Sequence, residues 1–137
     1  MKKKIIAVLM AVMVVAALLV GCGGNGKTLE DLVNTPEMQQ QILEANANAG
    51  STGMIMDIET EGDTLVYIFK YTSPITDTMR TTMEDTLRTM CNSESNKATY
   101  KAVVDAIKKE ATAVKNPAVV LRYLDQNGVE IYSHTYN

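Results

Sequence analysis

The sequence predicts an α+β domain: an antiparallel four-stranded sheet, built from two hairpins, with about three helices packed on one face. Three observations lead there. Met54 to Thr60 and Thr64 to Thr72 carry apolar residues at alternate positions about Gly62-Asp63, a two-residue turn in which glycine supplies positive φ. Val119 to Leu124 and Val129 to Tyr136 flank Asp125-Gln126-Asn127-Gly128, with Asp and Gly where a type I turn favours them. Between the hairpins run two apolar stripes at helical spacing.

The chain opens on Met1-Lys2-Lys3-Lys4, followed by an uncharged apolar run from Ile5 to Val20. That run is shorter than the roughly 18–20 residues that cross a bilayer, and it follows a basic start, as in a signal peptide. It closes on Leu19-Val20-Gly21-Cys22, which resembles the lipobox of bacterial lipoproteins. The resemblance implies a diacylglyceryl lipid on the Cys22 sulfur and cleavage between Gly21 and Cys22. Residues 1–21 are then a lipoprotein signal peptide, residues 22–27 the lipidated cysteine with a flexible tether, and residues 28–137 a single domain. Two acyl chains anchor stably where one is reversible. The tether Gly23-Gly24-Asn25-Gly26-Lys27 keeps the domain within about 13 Å of the anchor. The expected location is the extracytoplasmic face of the cell membrane.

Composition bounds the rest. The leader holds three of the 13 basic residues and none of the 16 acidic ones, leaving ten against sixteen, a net charge of −6. Such a surface argues against nucleic-acid binding. Of the two cysteines, Cys22 is expected to carry lipid, so Cys91 has no disulfide partner within the chain. With no Trp and one Phe, methionine, tyrosine and aliphatic residues must build the core.

Thr28 caps a first helical turn with Leu29, Leu32 and Val33 as its apolar contacts. Thr35-Pro36 starts a helix from Glu37 to about Asn48, with Met38, Ile42 and Ala45 on one face. It ends at Gly50-Ser51-Thr52-Gly53. The first hairpin then pairs Ile58 with Tyr67, Met56 with Phe69 and Met54 with Tyr71 on its inner face. Its other face mixes Ile55, Val66 and Ile68 with Asp57, Glu59 and Lys70, too apolar to be plainly solvated. Ser73-Pro74 is expected to open a helix striped by Ile75, Met79, Met83, Leu87 and Met90. Asn92-Ser93-Glu94-Ser95 breaks it. A further helix carries Tyr100, Val103, Val104, Ile107, Ala111 and Val114 on one side and stops at Asn116-Pro117. In the second hairpin a glycine bulge is expected to turn Val119, Leu121, Tyr123, Val129 and Ile131 inward, and Arg122, Glu130, Tyr132, His134 and Tyr136 outward.

Catalytic chemistry finds little support. Cys91 lies on the row of Met79, Met83 and Leu87 and reads as a small buried hydrophobe; a dyad with His134, the one histidine, would lack a glycine elbow or an oxyanion loop. Asp57, Glu59, Glu61 and Asp63 form an acidic strip without EF-hand spacing, better suited to guarding a strand edge. Zinc ligands are lacking. Met54, Met56, Met79 and Met83 suit a core better than a Cu(I) site. Neither metal nor catalytic residues are therefore expected, and no cofactor beyond the lipid on Cys22. The candidate binding surface is Val66 and Ile68 on one hairpin with Arg122, Tyr132, His134 and Tyr136 on the other, since Tyr and Arg are enriched at interfaces.

The stretches Thr28-Leu29-Glu30-Asp31, Thr64-Leu65-Val66-Tyr67 and Val129-Glu130-Ile131-Tyr132 resemble an uncharacterised family of small lipoproteins of Gram-positive gut bacteria, with a domain of unknown function. That resemblance implies no activity. The expected function is a non-catalytic binding or accessory module, with another envelope protein as its partner. The alternative is a carrier of a small apolar ligand in a pocket lined by Met and Tyr. A hydrolase would need Cys91 or His134 to be essential.

Overall fold

The computed structural model describes residues 28–47 and 53–137. Residues 1–27, with the leader, the lipobox and the tether, lie outside it. The described residues form helices α1 (Leu29–Val33) and α2 (Pro36–Ala47), strands β1 (Met54–Glu61) and β2 (Thr64–Tyr71), helices α3 (Asp77–Cys91) and α4 (Glu94–Glu110), and strands β3 (Ala118–Leu124) and β4 (Glu130–Tyr136). The α+β class stands, with four described helices where about three were expected.

The sheet has four strands in the order β1-β2-β3-β4. Both hairpins are antiparallel, but β2 and β3 run parallel, which corrects the all-antiparallel expectation. The cause is the α3–α4 connection. Two helices return the chain to the starting end of β2 before β3 begins, and parallel neighbours require such a crossover. Asp63 fixes the landing point: its carbonyl accepts from Ala118 N at 3.2 Å and its carboxylate from Asn116 N at 3.2 Å.

Caps set the helix limits. Thr28 and Asp31 form a reciprocal capping box at α1. Helix α3 starts at Asp77 rather than at Ser73-Pro74, because Thr76 accepts from Met79 N at 3.3 Å as its N-cap. The α3–α4 corner is locked by the buried Asn96, whose amide donates to Met90 O at 2.7 Å. Ala111 and Val114, expected on the α4 stripe, follow the end of that helix but are buried all the same.

One core lies between the sheet and the helices. Met54, Met56, Ile58, Tyr67, Phe69, Val119, Leu121 and Tyr123 meet Leu32, Met38, Met83, Leu87, Tyr100, Val103 and Ile107 in a single buried cluster. The first hairpin has the expected pairs Ile58–Tyr67, Met56–Phe69 and Met54–Tyr71.

The second hairpin departs from expectation. Its bulge falls not at Gly128 but opposite Tyr123 and Leu124: Leu124 pairs with Glu130, Tyr123 with Tyr132 and Leu121 with His134. One extra residue reverses the side on which every later side chain lies. Tyr132, His134 and Tyr136 therefore share the helix side with Tyr123, Leu121 and Val119, while Val129 is 55% exposed. All six tyrosines of the chain, Tyr67, Tyr71, Tyr100, Tyr123, Tyr132 and Tyr136, belong to or pack against the core.

Candidate interaction face

Among the described residues the helices supply core to one side of the sheet only. The other side carries Ile55, Asp57, Glu59, Val66, Ile68, Lys70, Val120, Arg122 and Leu124, and none of these joins the core cluster. Ile55 is 43% exposed, and Ile68, Val120 and Leu124 are half-buried. Parallel pairing sets Val66 beside Val120 and Ile68 beside Arg122.

Val66 is fully buried although it stands outside the core cluster. The register sets an ion pair beside it. Glu61 stands level with Thr64 and Arg122 level with Ile68, so their ion pair, Nη1 to Oε1 at 3.3 Å, runs across β2 above Val66. Arg122 also lies 3.7 Å from Glu130 Oε1. Exposed pairs of this kind contribute little to stability; their effect here is to hold Arg122 between Glu61 and Glu130 on the open face.

Of the six predicted surface residues, the structure brings Val66, Ile68 and Arg122 together and sets Tyr132, His134 and Tyr136 on the opposite side. Tyr136 is buried, stacks on Tyr100 at 4.8 Å and donates to Cys91 O at 2.7 Å. It is a core residue. Tyr132 and His134 are half-buried. Their Tyr132 Oη and His134 Nδ1 atoms are 2.9 Å apart, and the Arg88 guanidinium lies 5.7 Å from the Tyr132 ring centre. Ile55, Val120 and Leu124 belong to the open face but were not among the predicted residues. Alternation along β1 and β3 contained that signal; the lateral pairing that unites them did not follow from it.

Most of the groups considered for chemistry have local environments that account for them. Burial pushes the Cys91 thiol up to about 11, against a smaller opposing effect of hydrogen bonds with Tyr136 and Tyr123. A protonated thiol 0% exposed is a poor nucleophile. Asp57 accepts from Ile58 N at 2.8 Å, Glu61 pairs with Arg122 and Asp63 caps Asn116, so the acidic strip is divided among separate contacts. Among the described residues no group of three His, Cys, Asp or Glu side chains could hold a metal ion. A cleft of about 370 Å³ lies beside the end of β1, lined by Glu30, Val33, Asn34, Ile58, Glu59 and Thr60.

Two titrating groups tie stability to pH. Burial, aided by Lys97, holds His134 below its ordinary value. Hydrogen bonds from Val129 N, and then from the Arg80 guanidinium and Asn127 N, hold Asp125 below the usual carboxylate range. Both folded values lie below the unfolded ones, so the unfolded chain takes up each proton first as pH falls. Stability is therefore expected to decline below about pH 6.5 through His134 and again below about pH 4 through Asp125. Urea midpoints at pH 7.5 and 5.5 should differ less in His134→Gln than in the parent; an equal difference would remove His134 as the cause.

Among the described residues no helix is long and apolar enough to cross a membrane. No curated protein and no solved structure matches the chain. A family model does, over residues 29–136, from the first residue of α1 to the last of β4. The chain belongs to the family described as domain of unknown function DUF4854.

Proposed function

We propose that this chain is a lipoprotein of the bacterial cell envelope, anchored through a diacylglyceryl lipid on Cys22, and that its domain is a non-catalytic binding or accessory module. Its partner is another envelope protein, and its binding surface is the open face around Ile68, Val120, Leu124 and Arg122. The observation that carries this reading is the one-sided sheet. Among the described residues four helices serve one side, while the other presents aliphatic residues rimmed by charge, a composition suited to a partner with an apolar centre and polar rim. The anchor would hold this face close to the membrane surface, and no cofactor beyond the lipid is required.

Two experiments test the parts separately. Labelled palmitate is expected to enter the parent protein and to be absent from Cys22→Ser; equal labelling would remove the anchor. A photo-crosslinker at Ile68, in the native envelope, is expected to give a discrete protein adduct that a probe at the exposed Lys101 on α4 does not. Equal or absent adducts at the two positions would remove the open face.

One observation favours a second reading. The hydroxyls of Tyr67 and Tyr71 are buried without a hydrogen-bond partner in the described structure, and on the neighbouring strand Tyr71 pairs with Met54 and Tyr67 with Ile58. A small, mainly apolar ligand bearing a polar end, carried in a pocket lined by Met and Tyr between sheet and helices, would satisfy them. Native mass spectrometry of the purified protein would show it as retained mass.

A further inference from the structure

The two edges of the sheet are treated differently. On β1, the Asn46 side chain reaches from α2 to occupy both backbone groups of Met56: its amide donates to Met56 O and its carbonyl accepts from Met56 N, each at 2.8 Å. Ile58 N is taken by the neighbouring Asp57 carboxylate at 2.8 Å. This edge is closed to another strand.

The β4 edge has no such closure. Apart from Glu130 O, which accepts from Arg80 at 3.4 Å, the backbone of β4 makes no hydrogen bond beyond its ladder with β3 among the described residues. The strand Glu-Ile-Tyr-Ser-His-Thr-Tyr contains no proline and no lysine, the residues that usually blunt an edge. Its one carboxylate stands at its start. Helix α3 packs on β4, yet Tyr132 and His134 on that side remain half-exposed, and Ser133 and Thr135 are exposed. The helix layer stops short of the edge.

We propose that β4 pairs antiparallel with β4 of a second copy of this chain, across a two-fold axis at Ser133, joining two four-stranded sheets into one. The strand is self-complementary in this arrangement. The two Glu130 carboxylates fall at opposite ends of the seam, so like charges do not meet. Each Tyr132 lies beside His134 of the second copy, which repeats between copies the phenol–imidazole contact made within each strand. An axis at His134 would set two imidazoles face to face instead. The unpaired backbone groups of both edges are satisfied, as in other strand additions. The proposal concerns the edge and does not depend on the open-face reading, which the Ile68 probe tests independently.

The test is oxidative crosslinking of the full chain in the native envelope. Residues directly opposite in an antiparallel pair have Cα atoms about 4.5–5.5 Å apart, within the range a disulfide bridges. Ser133 and Thr135 are both exposed, so cysteine at either site leaves the core intact. With copper phenanthroline, Ser133→Cys is expected to give a disulfide-linked homodimer at least tenfold more abundant than Thr135→Cys, whose sulfurs would face the second copy's Ile131. No dimer from Ser133→Cys, equal dimer from both variants, or a mixed disulfide with a different protein would each overturn the proposal.

Discussion

Leu121→Ala is expected to destabilise the domain by about 2–5 kcal/mol, the range for emptying a leucine site in a packed core. Leu121 is 0% exposed at the centre of β3, between Tyr67 on β2 and His134 on β4. Neighbours on two strands and in the helix layer restrict collapse into the cavity, which places the cost toward the upper part of that range. Urea unfolding measures it, with Leu43→Ala as the comparison: Leu43 is 65% exposed, and its truncation should change stability by less than about 0.5 kcal/mol. A loss below about 1 kcal/mol at Leu121 would mean that the β3 side chains do not face the helices as described.

Tyr67→Phe is expected to act in the opposite direction. The Tyr67 ring is fully buried and meets Tyr100 edge-on at 6.0 Å, a contact that phenylalanine keeps. Its hydroxyl has no partner in the described structure, and burial pushes its ionisation far above the ordinary range. A buried hydroxyl without a hydrogen bond costs about 1–3 kcal/mol, so removing it should raise stability by about that amount. Tyr136→Phe provides the contrast, because that hydroxyl donates to Cys91 O at 2.7 Å. Its removal should lower stability by about 1 kcal/mol. A loss on Tyr67→Phe would show that the hydroxyl is satisfied in solution by an internal water or a ligand, and would move weight to the carrier reading.

The open face was only partly readable from the sequence, for a reason visible in β4. Period-two alternation states which residues share a side of one strand; it does not state how far the partner strand is shifted. In the first hairpin, the short Gly62-Asp63 turn left no freedom, and the expected pairs are the observed ones. In the second, a longer turn admitted a bulge at either of two places. The structure chose the one that delivers Tyr136 to Tyr100 and to the end of α3. That contact buries a large ring and satisfies a helix-terminal carbonyl, which the alternative with Val129 inward could not offer.

Helix caps show the same division. Thr28-Leu29-Glu30-Asp31 made a helix start visible, because a capping box closes within four residues. The start of α3 was misplaced because two local candidates, Ser73-Pro74 and Thr76, lie three residues apart, and the tertiary position of Ile75 decides between them: its N–H donates to Gln126 in the distant β3–β4 turn at 3.2 Å.

What local sequence settled, then, was the identity of the strands and helices, the first hairpin's register, the burial of Cys91 and the membership of most of the core. Each of these depends on interactions within a few residues, or on side-chain hydrophobicity alone. Only the tertiary structure decided that the hairpins join through a parallel pair, that Tyr132, His134 and Tyr136 lie on the helix side, and that Arg122 reaches Glu61 across Val66. Those depend on contacts between residues as much as 61 positions apart, where the free energy of packing many side chains at once outweighs every local preference.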